Sequence, residues 1–267
     1  MNFQPVLPLS GYAGWSFLQR TRETQQEAFV NSAEVQRDTE YFKSRIADIQ
    51  TASDLVADRR LLAVALGAFG LNDDINNKYF IQTVLEDGTL DEEALANRLS
   101  DKRYLALSKA FGFGDFAISN TQLSDFPDKI ISRYQDKQFE VAVGNQDADL
   151  RLAMSVESEL SEILARDTSD DGKWFAILGS PALRNVFEKA FGLPATFGAI
   201  DIDLQLSTFQ EKSGRIFGSQ APDVFSSVET QDRLISLFLA RSQISGGAGL
   251  SSQNVALTLL QNAQPLV

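Results

Sequence analysis

The tripeptide Ala-Phe-Gly occurs at Ala68-Phe69-Gly70, Ala110-Phe111-Gly112 and Ala190-Phe191-Gly192, each time closing a stretch of helically spaced apolar residues. Glycine tolerates the left-handed conformation that ends a helix, and a hydrophobic residue after it clasps the last turn. That residue is Leu71, Phe113 or Leu193. Three and four positions before the Ala, every copy is apolar or small: Val64/Ala65, Ala106/Leu107 and Val186/Phe187. Ile216-Phe217-Gly218 reads as a degenerate fourth copy. A chain punctuated in this way folds as helices joined by tight stops. Two readings of the recurrence stay open: internal duplication of a helical unit, or independent reuse of one stop signal.

The start signals agree with a helical chain. Thr51 and Asp54 form a T-x-x-D capping box ahead of Leu55, Leu62, Leu66 and Phe69, predicting one helix up to Gly70. Thr89–Glu92 and Ser226–Glu229 read as further capping boxes, before Leu95/Leu99 and before Leu234/Leu237/Phe238. Asp101 opens a helix that Gly112 stops, and Ser180-Pro181 pairs a cap with proline at the first helical position. Spaced apolar residues from Phe29 to Ile49 predict one long or broken helix over 21–49. Only Ile200-Asp-Ile-Asp-Leu204 alternates like a strand, and it can equally begin a helix running to Phe209. The fold class expected is therefore all-α and multi-helix. The expected divisions are an aromatic N-terminal segment (1–20), helical units over 21–127 and 128–244, and a tail (245–267).

Composition narrows the function classes. The chain of 267 residues has neither Cys nor His. That excludes disulfides, thiolate clusters, Cys nucleophiles and Ser-His-Asp triads, and removes the commonest transition-metal ligand. A formal net charge of −12 with no basic run argues against nucleic-acid and anionic-lipid partners. No apolar run reaches the roughly 20 residues a bilayer requires, so no membrane insertion is expected. Residues 1–15 lack the basic start of a cleaved signal. The expected location is cytoplasmic, with export by a route without a cleaved signal left open.

No G-x-S-x-G, P-loop or dinucleotide fingerprint is present. Asp167-Thr-Ser-Asp-Asp-Gly172 matches the front of a calcium loop, but Leu178 stands where the twelfth-position Glu belongs. Asn72-Asp73-Asp74 reads as a helix cap, with Asp73 or Asp74 as the capping residue. No catalytic, cofactor or metal-ligating residue is assigned. The candidate partner contacts are apolar: Tyr12, Trp15 and Phe17 near the N-terminus, and Val255, Leu259 and Leu260 beyond the flexible stretch Ser245-Gly-Gly-Ala-Gly249. The latter face has three readings: a frayed tail, a self-packing helix, or a tethered helix for a partner.

The segments Tyr12–Thr21, Asp54–Leu71, Ala96–Tyr104 and Phe238–Gln243 together resemble an alphaproteobacterial family catalogued as domain of unknown function 1217. Its members are often encoded beside flagellar genes, which implies a flagellar role and supplies no catalytic residues. The reading expected is a non-enzymatic interaction or assembly protein with a protein partner. The alternatives are a cofactor-independent enzyme using paired carboxylates, and a calcium-responsive helical protein.

Overall fold

In the computed structural model, which describes residues 3–247, every glycine read as a stop lies in the left-handed region: Gly70 (φ 69°), Gly112 (67°), Gly192 (69°) and Gly218 (85°). Thirteen α-helices form among the described residues, and no strand does. In order they are α1 (Gly11–Val30), α2 (Ala33–Arg45), α3 (Ala52–Ala57), α4 (Arg59–Ala68), α5 (Lys78–Asp87), α6 (Leu95–Arg98), α7 (Lys102–Phe111), α8 (Phe126–Gly144), α9 (Ala148–Leu164), α10 (Asp170–Gly179), α11 (Pro181–Phe191), α12 (Ile202–Phe217) and α13 (Val228–Gly247). The all-α expectation holds.

The stops close as the sequence predicts. Leu71 N–H bonds the carbonyl of Leu66, and Leu193 N–H that of Glu188, each at 2.9 Å, the long bond of a Schellman motif. A helix end leaves carbonyls unsatisfied. In all three Ala-Phe-Gly copies the Ala carbonyl accepts a side-chain donor from elsewhere in the chain. Arg133 Nε reaches Ala68 O at 3.0 Å, Asn120 Nδ2 reaches Ala110 O at 3.0 Å, and Arg241 Nη1 reaches Ala190 O at 2.6 Å.

The chain packs as two compact units. The first combines the residues up to Pro8 with Phe17–Arg151; the second combines Leu9–Ser16 with the described residues from Leu152 onward. The position 127/128, expected as a soft boundary, lies in the first turn of α8, inside the first unit. In the first unit α4 is apolar on almost every side and is correspondingly buried from Leu61 to Ala68 except at Ala63, with α2 and α8 against it. Gly67 admits the Tyr134 ring, which would stand 2.8 Å from any Cβ there. In the second unit α11 packs on α13, over a cluster of rings. Trp174 meets Phe187, Phe209 and Phe225 edge-on at 5.8–6.1 Å, and Phe197 stacks on Phe209 at 5.6 Å. The Trp174 indole N–H donates to Gln220 O at 2.8 Å, so the one polar atom of that ring is satisfied.

Several local expectations are corrected. The helix predicted through Gly70 breaks at Asp58, whose carboxylate accepts the Arg60 and Leu61 amides and so starts α4 anew; the Thr51/Asp54 box itself forms and starts α3. Thr89 caps no helix, because its amide and hydroxyl are both taken by Asp115. The cap of α13 is Ser227 rather than Ser226: Ser227 Oγ accepts the Thr230 amide, while Ser226 ends a 3₁₀ turn. Asp74 caps nothing; it accepts the Tyr104 hydroxyl at 2.7 Å and the Asn77 side chain at 2.7 Å. The ambiguous stretch 200–204 is helical from Ile202, with Asp201 as its cap. Finally α13 runs to Gly247, so the first part of the expected linker is the end of a helix.

Candidate interaction surfaces

Tyr12, Trp15 and Phe17 all fall on α1, and the helix divides them. Tyr12 is exposed and Phe17 half-buried, whereas Trp15 is 1 % exposed and belongs to the core of the second unit. The segment is tightly placed there: a Cβ on Gly11 (φ 61°) would overlap the Gln243 side chain. Trp15 therefore offers no surface to a partner. Its indole N–H is buried without a hydrogen-bond partner, which among the described side chains is true of this atom alone. Val255, Leu259 and Leu260 lie outside the described residues.

Sequence reasoning missed a run of exposed aliphatic residues at the start of α12 in the second unit. Ile200, Ile202 and Leu204 are 41 %, 47 % and 58 % exposed, with Asp201 and Asp203 exposed between them. The turn is held by what lies beneath it. Phe197 is sunk against Phe209, and the buried Gln205 amide donates to Ile200 O at 2.7 Å while accepting from Arg184 Nη2 at 2.8 Å. Gln205, the polar residue, faces inward, and three aliphatic residues face out. The signal was the alternation itself, Ile-Asp-Ile-Asp-Leu-Gln. It was read for secondary structure and not for exposure.

A second apolar group lies in the first unit, where Leu90, Phe116 and Ile118 are all exposed. Asp115 ties its two loops together by accepting the Thr89 and Leu90 amides. Gly88 and Gly114 allow the loops to touch, since a Cβ on Gly114 would lie 2.4 Å from Gly88 N.

The acidic residues give a different picture. A cleft of about 670 Å³ is bounded by Asp48, Asp54, Asp58 and Arg59. Burial pushes the Asp58 carboxyl up, but the Tyr41 hydroxyl at 2.6 Å and the Leu61 and Arg60 amides outweigh it, leaving the group below the ordinary carboxylate range. Asp54 is held low by its hydrogen bonds with Thr51. Both are ionised at neutral pH, so neither can donate a proton as a glycosidase acid must. The string resembling a calcium loop is helical from Asp170 onward. Ser169 Oγ accepts the Gly172 amide, and Asp171 accepts Gln210 Nε2 at 2.7 Å. Among the described residues no cluster of three or more His, Cys, Asp or Glu is placed to hold a metal ion, and no helix is long and apolar enough to cross a membrane.

The family described as protein of unknown function (DUF1217) matches residues 68–225. No curated protein matches the chain. A crystal structure of protein AGR_C_984 from Agrobacterium tumefaciens shares the fold, with a TM-score of 0.71 and 27 % sequence identity over 91 % of this chain and 99 % of that one.

Proposed function

The chain belongs to the DUF1217 family, and from that premise we propose that it is a non-enzymatic interaction or assembly protein associated with the bacterial flagellum. The observation that carries the reading is the exposure of Ile200, Ile202 and Leu204 around the start of α12, on a turn held from beneath by the buried Gln205. Burying one such side chain contributes about 1.5–3 kcal/mol, enough for it to anchor a partner. Asp201 and Asp203 select a partner with an apolar face and a basic rim. The ionised state of Asp54 and Asp58 supports this reading over a carboxylate-pair enzyme. With a net charge of −12, the partner is a protein rather than nucleic acid or anionic membrane. The flagellar association rests on the family resemblance and its gene neighbourhood.

The two units are, on this proposal, copies of one helical module. Support comes from a matched order of features. Each has a capped helix, a one-residue junction (Asp58, Ser180), a helix stopped by Ala-Phe-Gly, a 3₁₀ turn, and a helix ended by left-handed Gly112 or Gly218, with α5 and α6 inserted before that last helix in the first unit only. A second 3₁₀ turn follows, then a long helix supplying Arg133 or Arg241 to the Ala carbonyl of the stop.

Affinity purification of the tagged chain from its native host tests the function. Enrichment of export, hook or basal-body components is expected. Recovery of the chain alone, together with unchanged motility on deletion, would refute it.

A further inference from the structure

Two loops of the first unit carry large apolar side chains in the open: Leu90 (74 % exposed) on one, Phe116 and Ile118 (73 %) on the other. Neither loop is loose. Asp115 Oδ1 accepts the Leu90 amide at 3.1 Å and its Oδ2 the Thr89 hydroxyl at 2.8 Å. Asn97 Nδ2 donates to Thr89 O at 2.9 Å and to Asp91 O at 2.6 Å. On the other loop the Phe116 amide donates to Gly112 O at 3.1 Å. Just past Ile118 the chain turns inward: Ser119 and Thr121 are buried, and Thr121 Oγ1 donates to Ile49 O at 2.6 Å. Through Asp115 the Leu90 and Phe116 backbones come within about 11 Å of each other, close enough for one partner segment to cover both side chains. Single exposed apolar residues are ordinary, but large ones gathered on pinned backbone mark an interaction site.

The charge around them has one sign. Between Lys78 and Arg98 the chain holds Glu86, Asp87, Asp91, Glu92 and Glu93 and no basic residue. Between Lys109 and Lys129 it holds Asp115, Asp125 and Asp128, again with no basic residue. The first five carboxylates are all exposed, and among the described residues none of them is ion-paired. Like charges gathered in this way repel one another, and a cationic partner relieves the repulsion. Exposed ion pairs contribute little each, so the apolar side chains supply the affinity and the carboxylates select the partner. The partner's backbone polar groups must also be satisfied. Among the described residues there is no strand whose edge could pair with an extended segment, whereas a helix satisfies its own backbone.

We propose that loops 88–93 and 114–118 dock an amphipathic helix of a partner protein, with Lys or Arg flanking an apolar face that covers Leu90, Phe116 and Ile118. This surface lies in the first unit, goes beyond the proposed function and does not depend on it. The probe is a fluorescein-labelled amphipathic peptide of Leu and Lys, about 14 residues long, titrated with the full-length chain and read by anisotropy. All titrations use an Ile202→Asn/Leu204→Asn background, so that the exposed turn of the second unit does not contribute. Saturable binding is expected, and adding Leu90→Ser/Phe116→Ser should raise Kd about tenfold or more. Glu92→Gln/Glu93→Gln should raise it about threefold at low salt and leave it unchanged at about 0.5 M NaCl. A peptide with Ser in place of every Leu keeps the charge and should bind about tenfold more weakly. Circular dichroism checks that the variants, all at exposed positions, keep the wild-type helix content. No saturable binding, equal binding of the Ser/Lys peptide, or a Kd unmoved by Leu90→Ser/Phe116→Ser would each overturn the inference.

Discussion

Gly192 and Gly218 end helices in the same left-handed conformation, but their surroundings differ, and the difference predicts a measurable gap. Nothing stands within 4 Å of a Cβ built on Gly218. Gly218→Ala therefore carries only the backbone penalty, about 1 kcal/mol. At Gly192 a Cβ would lie 2.7 Å from Arg241 Nη1, the atom that bonds Ala190 O at 2.6 Å. Gly192→Ala must therefore displace the guanidinium as well. A hydrogen bond to a charged group contributes about 1.5–3 kcal/mol, less at a half-exposed site, so the total should be about 2–3 kcal/mol. Urea unfolding followed by tryptophan fluorescence measures this directly, since Trp15 and Trp174 both lie in the second unit with the two glycines. In an Arg241→Met background the Gly192→Ala effect should shrink to the Gly218→Ala level. Equal effects of the two glycine substitutions, within about 0.3 kcal/mol, would refute the reasoning.

Other consequences follow from single groups. Asp58→Ala should destabilise the chain by about 1 kcal/mol at neutral pH through loss of the α4 cap. Because the folded carboxyl lies below its unfolded value, that contribution is present above the unfolded pKa and is lost as pH falls through the folded one. Denaturation of wild type and variant should therefore converge in acid, and a constant difference would contradict the assignment. Burial pushes the Tyr134 hydroxyl up to about 12, with Asp38 and Glu34 adding to the shift. An unfolded tyrosine ionises near 10, so stability should fall between about pH 10 and 12, and Tyr134→Phe should flatten that fall in alkaline melts. Trp15→Phe removes an unpaired N–H and should change stability by no more than about 1 kcal/mol. Trp174→Phe breaks a satisfied bond within the ring cluster and should be clearly worse in the same unfolding assay.

Much of the fold was legible because helix ends are encoded locally. A glycine stop or an aspartate cap needs only its own few residues, which is why Gly70, Gly112, Gly192, Asp101 and Ser180 read correctly. Two of the misreadings share one cause, a distant partner that claims the side chain. Thr89 looked like a cap until Asp115, far along the chain, took its hydroxyl. Asp74 was claimed by Tyr104. The surfaces were less legible for the same reason. Trp15 is buried by packing in the second unit, although Phe17, two residues on, belongs to the first, and no local pattern announces that. The exposed turn at 200–204 depends on which way Gln205 faces, which is set by Arg184 and the Gly198–Ile200 backbone.

The account stands or falls on that turn. Parallel capture of flagellar components from the native host, by the tagged wild-type chain and by an Ile202→Asp/Leu204→Asp variant whose tryptophan fluorescence confirms an intact second unit, tests it most directly. The account predicts that wild type enriches them and that two carboxylates placed in the exposed turn reduce recovery at least tenfold. Equal recovery by both chains would contradict it.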